Sequence, residues 1–309
     1  MAVVEARGLT KRFGRTVAVD DVGFDADAGT VTGFLGPNGA GKTTTLRMLL
    51  GLVSPTAGTA TVAGAPYRSL PDPLRQVGAV LEASGTHPGR TARRHLAVQA
   101  AAGGIDRRRV DAVLDAVGLT DVADRRAGTY SLGLRQRLGL ATALLGDPAV
   151  LVLDEPANGL DPEGVRWLRG LVRGMAAEGR TVLLSSHVLA EMARTVDRVV
   201  ILDRGRLVTE ATLAELTAGA RGRSRVRTPR ADVLRVALLA DGADATLVGP
   251  DRLEVTGSTP ERIAELAAGL AVPVVEHTTE APGLEDAFLR LTGAAGTGGD
   301  AGAGAEEAS

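Results

Sequence analysis

Gly36-Pro37-Asn38-Gly39-Ala40-Gly41-Lys42-Thr43 is the stretch on which the reading of this chain turns. It fits the pattern G-x-x-x-x-G-K-[ST], in which glycines let successive backbone N–H groups converge on phosphate oxygens. Residues 31–35 before it are apolar and read as a buried strand; residues 42–50 after it read as a helix stopped by Gly51. Strand, glycine turn and helix N-terminus in that order aim the helix dipole at a bound anion. The sequence thus predicts a nucleotide phosphate loop from Gly36 through Lys42, Thr43 and Thr44. In that loop Lys42 would reach the β- and γ-phosphates and the Thr43 hydroxyl would coordinate Mg²⁺. Lysine usage sharpens the expectation. Of 35 Lys and Arg residues only Lys11 and Lys42 are lysine, so a compact ammonium stands where the chain otherwise uses the planar arginine fork.

A second stretch, Val150-Leu151-Val152-Leu153-Asp154-Glu155, is an apolar strand ending in two carboxylates. Downstream of a phosphate loop, Asp154 is expected to hold Mg²⁺ and Glu155 to polarise the attacking water. Residues 182–184 read as a further buried strand, and residues 162–178 and 187–193 as helices. Such alternation predicts a parallel α/β sheet. Residues 198–202 and 206–209 flank Asp203-Arg204-Gly205 and read as a hairpin.

Between the two stretches lies Tyr130-Ser131-Leu132-Gly133-Leu134-Arg135-Gln136-Arg137-Leu138, which opens a helix capped by Ser131. Here the chain resembles the ATP-binding cassette (ABC) ATPases, whose signature at this place is LSGGQ followed by a basic helix. The resemblance covers residues 1 to about 215, with the motifs in family order. It implies that Ser131 and Gly133 contact the γ-phosphate held by a second protomer. Leu132 and Leu134 depart from the family's first glycine and its glutamine. Asn158-Gly159-Leu160-Asp161 resembles the D-loop at the dimer interface, which adds Asp161 to the nucleotide-site residues. His187 resembles the switch histidine, and Phe13 matches the aromatic that stacks on adenine. Glu82 stands where the family has a glutamine that links the metal site to the membrane part; it is expected as a further Mg²⁺ ligand, with residues 83–96 facing a membrane subunit. His87, His95 and His277 are expected to be structural.

The resemblance implies a P-loop NTPase core of ABC type over residues 1–217, with an antiparallel β part near the N-terminus and a helical arm around residues 90–145. Residues 218–292 read as a small α+β domain. Its strands are expected near 224–227, 245–248, 253–256 and 274–277, with helices near 232–240, 260–268 and 284–292, a ferredoxin-like βαββαβ order with an added helix. Residues 293–309 are Gly- and Ala-rich and read as a disordered tail. Residues 284–289 look like the extension of drug- and peptide-export ATPases.

Composition bounds the function. A net charge of −2 argues against a nucleic-acid partner. With no cysteine, disulfides, Cys-ligated zinc and thiol catalysis are excluded. No window approaches the roughly 20 apolar residues of a membrane span, and the first residues lack the apolar core of a signal peptide. The resemblance implies ATP and Mg²⁺ as ligands and a second ATPase protomer, identical or not. It also implies a polytopic permease that holds the chain at the inner face of the cell membrane. The rival readings are a soluble ABC-type ATPase without a membrane partner and a regulatory protein with a dead nucleotide site.

Overall fold

The computed structural model describes residues 2–81, 85–218 and 223–280. They belong to two units, residues 1–212 and 213–309. Glu82, the expected helix at 284–292 and the tail from 293 lie outside the described residues.

The first unit opens with two long strands, β1 (Ala2–Phe13) and β2 (Thr16–Asp27), paired antiparallel. β3 (Val31–Leu35) is buried at every residue and runs through the glycine loop into α1 (Lys42–Leu49). β4 (Ala57–Val62) returns to β1 and completes a three-stranded sheet in the order β2-β1-β4. Then come α2 (Pro73–Gln76) and β5 (Val77–Val80), followed by the helical part: α3 (Ala92–Ala102), α4 (Arg108–Ala116) and α5 (Leu132–Leu144). The unit ends with β6 (Val150–Leu153), α6 (Pro162–Ala177), β7 (Thr181–Ser186), α7 (Leu189–Met192), β8 (Arg198–Asp203) and β9 (Arg206–Thr212).

Six strands form the central sheet in the order β5-β6-β7-β3-β8-β9. All neighbours are parallel except β9, which closes the edge as an antiparallel hairpin with β8. Strands β3, β6 and β7 are buried at every position, which is why they read as unbroken apolar runs rather than as alternating ones. Their order sets the C-terminal ends of β6, β7 and β3 side by side, the edge at which open α/β sheets take ligands. Phe24 of β2 meets Phe34 of β3 edge to face, ring centroids 4.8 Å apart, and joins the antiparallel sheet to the central strand. The β8–β9 turn is tied to both. Asp20 N–H donates to Gly205 O (2.8 Å), Gly205 N–H donates to Ala40 O (3.1 Å), and the Arg206 guanidinium donates to the Asp20 carboxylate.

The second unit contains α8 (Leu213–Ala218), β10 (Arg223–Arg227), α9 (Ala231–Ala240), β11 (Asp244–Gly249), β12 (Arg252–Thr256), α10 (Pro260–Gly269) and β13 (Glu276–Glu280). From β10 onward this is the expected βαββαβ order, and its four strands pair antiparallel as β11-β12-β10-β13. Val226, Leu253 and Val255 on one face of the sheet share a core with Leu234 and Leu238 of α9 and Ile263 of α10.

Two expected elements are corrected. The helix read at 187–193 is the single turn α7, because Ser186 Oγ accepts from Val188 N–H (2.9 Å) and holds His187 and Val188 outside it. The strand read at 274–277 is β13, which starts at Glu276. Pro273 has no N–H to give a ladder, and pairing with β10 begins at Arg227 opposite Glu276.

Candidate nucleotide site

The glycine loop leaves the C-terminal end of β3 and lines a cavity of about 340 Å³. Residues 37–44 line it together with Ala18 of β2 and Glu155. Gly39 sits at φ 83°, a backbone conformation that suits glycine, and a Cβ there would meet no atom within 4 Å. The loop therefore stays open above its own backbone. α1 starts at Lys42 behind Gly41, which has no side chain to cap it, and its first turn holds no acidic residue. The N–H groups of a helix start without such a cap suit an anion. Lys42 is buried and lines the cavity. Its Nζ donates to Gly36 O (2.7 Å) and Pro37 O (3.3 Å) and stands 3.6 Å from Glu155 Oε1. Thr43 and Thr44 line the same cavity.

The carboxylates come from β6. Asp154 is buried, and its Oδ1 accepts from the Ser185 hydroxyl of β7 (2.5 Å). The same Ser185 Oγ accepts from Glu155 N–H (2.8 Å). This serine fixes both acids across the β6–β7 pair. Glu155 takes a left-handed backbone, φ 49°, which is strained for a glutamate. Its side chain faces two partners at once. Oε1 lies beside Lys42, and Oε2 is 2.8 Å from His187 Nδ1. A carboxylate can only accept, so His187 carries its proton on Nδ1 in this contact.

Other expected residues fall around this centre. Ser131 caps α5, its hydroxyl accepting from Leu134 N–H (3.3 Å). Leu132 lies over Gly159: a Cβ on Gly159 would stand 2.2 Å from Leu132 Cδ2, and one on Gly133 would stand 3.2 Å from Gly159 O. Asp161 caps α6 by accepting from Gly164 N–H (2.8 Å). Phe13 is half exposed at the end of β1, with Lys11 Nζ 5.0 Å from its ring centre, and is not among the residues that line the cavity. Among the described residues no group of three or more His, Cys, Asp or Glu could hold a metal ion. Thr43 and Asp154 suit Mg²⁺ only as an ion that arrives with phosphate oxygens.

Ser185 was not singled out in the sequence as a site residue. The signal that could have found it is a hydroxyl at the end of an otherwise apolar strand, two residues before His187.

A parallel sheet with a glycine loop after its central strand is the framework of the P-loop nucleotide hydrolases. Residues 19–158 match the family model described as ABC transporter, and residues 222–285 match one described as a domain of unknown function. The chain is 36% identical over 300 residues to the Nod factor export ATP-binding protein I of Burkholderia lata, covering 95% of this chain and 98% of that one. It is 42% identical over 211 residues to the bacitracin transport ATP-binding protein BcrA of Bacillus licheniformis, covering 67% of this chain and 69% of that one. A solved ATP-binding subunit of an ABC transporter superposes with a TM-score of 0.65 at 29% identity, over 70% of this chain and 92% of that one. The chain belongs to the ABC transporter ATP-binding proteins and is an ATP hydrolase whose activity serves transport.

Proposed function

We propose that this chain binds Mg-ATP in the loop of residues 36–44 and hydrolyses it with Glu155, within a sandwich of two protomers that drives export through a separate permease. The observation that carries the reading is the placement of the Glu155 carboxylate between Lys42 Nζ (3.6 Å) and His187 Nδ1 (2.8 Å) in the lining of the phosphate cradle. Lys42 neutralises the β- and γ-phosphates. Glu155 orients the attacking water and takes its proton. His187, donating from Nδ1, steadies Glu155 and then turns to the γ-phosphate. Ser185 fixes the Asp154 carboxylate, and Asp154 and Thr43 would hold Mg²⁺. That ion supplies charge neutralisation across the phosphates when bound. Ser131 and Gly133 complete the site of the other protomer, with Asp161 at the interface and Phe13 against the adenine.

Among the described residues no helix is long and apolar enough to cross a membrane, and we assign the membrane path to a separate permease. Export is the direction carried by the name of the Nod factor relative. Attachment to the inner membrane face follows from that partner. Glu155→Gln is the test. It should bind ATP as wild type does, lose turnover by roughly 100-fold or more, and elute as a dimer with ATP. Turnover within a few-fold of wild type overturns the assignment.

A further inference from the structure

The four-stranded sheet of the second unit gives one face to α9 and α10. On β10, Ser224 and Val226 are buried on that side, and Arg223, Arg225 and Arg227 alternate onto the other. On β12, Leu253 and Val255 are buried, and Arg252 and Glu254 take the other face. The strand register sets Arg227 directly opposite Arg252. Two like charges in directly opposed positions, with Cβ atoms about 5 Å apart, weaken a sheet. Glu276 Oε2 lies 3.4 Å from Arg227 Nε, yet that nitrogen is buried and makes no hydrogen bond. The Arg252 guanidinium makes no hydrogen bond or ion pair among the described residues.

Both arginines border a cavity of about 370 Å³, together with Arg225, Val248, Glu276 and Thr278. Arg225 is already paired with Glu254 (3.1 Å), which leaves Arg227 and Arg252 facing the single carboxylate of Glu276, so the cavity favours an anion. A phosphate accepts from arginine forks in a bidentate manner, which would relieve the opposed pair and give the buried N–H an acceptor. The volume lies in the range of small-molecule pockets, which suits a compact ligand rather than a polymer or a bilayer surface.

We propose that this face of the second unit binds one small soluble phosphate-bearing molecule, its phosphate held between Arg227 and Arg252 beside the Thr278 hydroxyl. The Val248 side of the cavity takes the less polar part of that ligand. The site uses none of the residues assigned to ATP, and it stands or falls separately from them.

Calorimetric titration of the full chain with inorganic phosphate tests this, comparing wild type with Arg252→Gln. Any phosphate taken by the glycine loop is common to both chains, so their difference reports the new site. Wild type should show a saturable component that Arg252→Gln weakens roughly tenfold or more. Arg252→Lys, which keeps the charge but loses the fork, should fall between them and serves as the second variant if Arg252→Gln does not fold. In phosphate-free buffer Arg252→Gln should melt above wild type, because the opposed charges are gone, and phosphate should raise the melting temperature of wild type more than that of the variant. Superimposable isotherms for all three chains overturn the proposal. So does retention of wild type on phosphatidic acid vesicles without any saturable component for inorganic phosphate.

Discussion

Lys42 concentrates what the loop does. Its ammonium is buried, satisfied by two loop carbonyls and set against Glu155. Among the described residues no other cation lines the cavity. Lys42→Ala should therefore abolish ATP binding while leaving the fold intact. Fluorescent nucleotide titration checks it, and near-native affinity would mean that ATP sits elsewhere. Arginine at the same position should not restore binding, because a planar fork does not reproduce the compact ammonium that donates from one atom to both Gly36 O and Pro37 O. The loop was legible because everything it needs is contiguous: glycines, lysine, threonine and the flanking apolar run. Asp154 and Glu155 were legible as the end of such a run. Ser185 was not, because its value arises from lying one strand away from residues 30 and 31 positions earlier, and local pattern carries no information on which strands become neighbours. The single turn α7 was overread for a related reason. Residues 187–193 have helical composition, but the Ser186 hydroxyl competes for the chain's first free N–H.

Two helix starts, α5 and α6, meet through a leucine on a glycine. Leu132 occupies the place above Gly159, whose φ of 80° and lack of a side chain admit it. Gly159→Ala should lower stability by about 1–3 kcal/mol through overpacking. Leu132→Ala, at a half-exposed position, should cost less than about 1 kcal/mol alone. In the double variant the Leu132 Cγ and Cδ2 contacts are gone and only the backbone strain at φ 80° and a 3.2 Å approach to Cβ remain, so the two changes should be less than additive by thermal melting. Additive losses would mean that the contact is not made. The helical part carries a second device. His95 on α3 is buried, with Nε2 3.3 Å from the Thr142 hydroxyl of α5 and Nδ1 without a partner. Burial, reinforced by the Arg90 charge, holds its pKa below the usual imidazole value. The folded chain thus binds this proton more weakly than the unfolded one. The stability it contributes is fully present above the unfolded pKa near 6.5 and is lost as pH falls through the lower folded value. Melting temperature should drop between about pH 7.5 and pH 5.5, and His95→Gln should flatten that dependence. An equal drop in the variant would place the titration elsewhere.

At the scale of the molecule, one chain holds one glycine loop and one Ser131 helix start. If each ATP lies between the loop of one copy and Ser131 of another, two differently damaged chains should repair each other. Lys42→Ala and Ser131→Arg should each be inactive alone. Mixed in equal amounts, they should regain turnover, because half of the mixed pairs' sites combine an intact loop with an intact Ser131. A mixture as inactive as its components would mean that each chain completes its own site.

The bonds around Gly205 have a consequence in time as well as in space. Ala40 in the loop, Gly205 in the β8–β9 turn and Asp20 in β2 form one relay, each amide proton of Gly205 and Asp20 held by the carbonyl before it. The Gly205 proton is traded for deuterium when the turn parts from the loop, and the Asp20 proton when the turn parts from β2. Clamping the loop with nucleotide would then slow deuterium uptake at Asp20, a residue outside the set that lines the cradle. Deuterium labelling read by mass spectrometry, with and without ATP, would turn that strand into a clock for events at the phosphates.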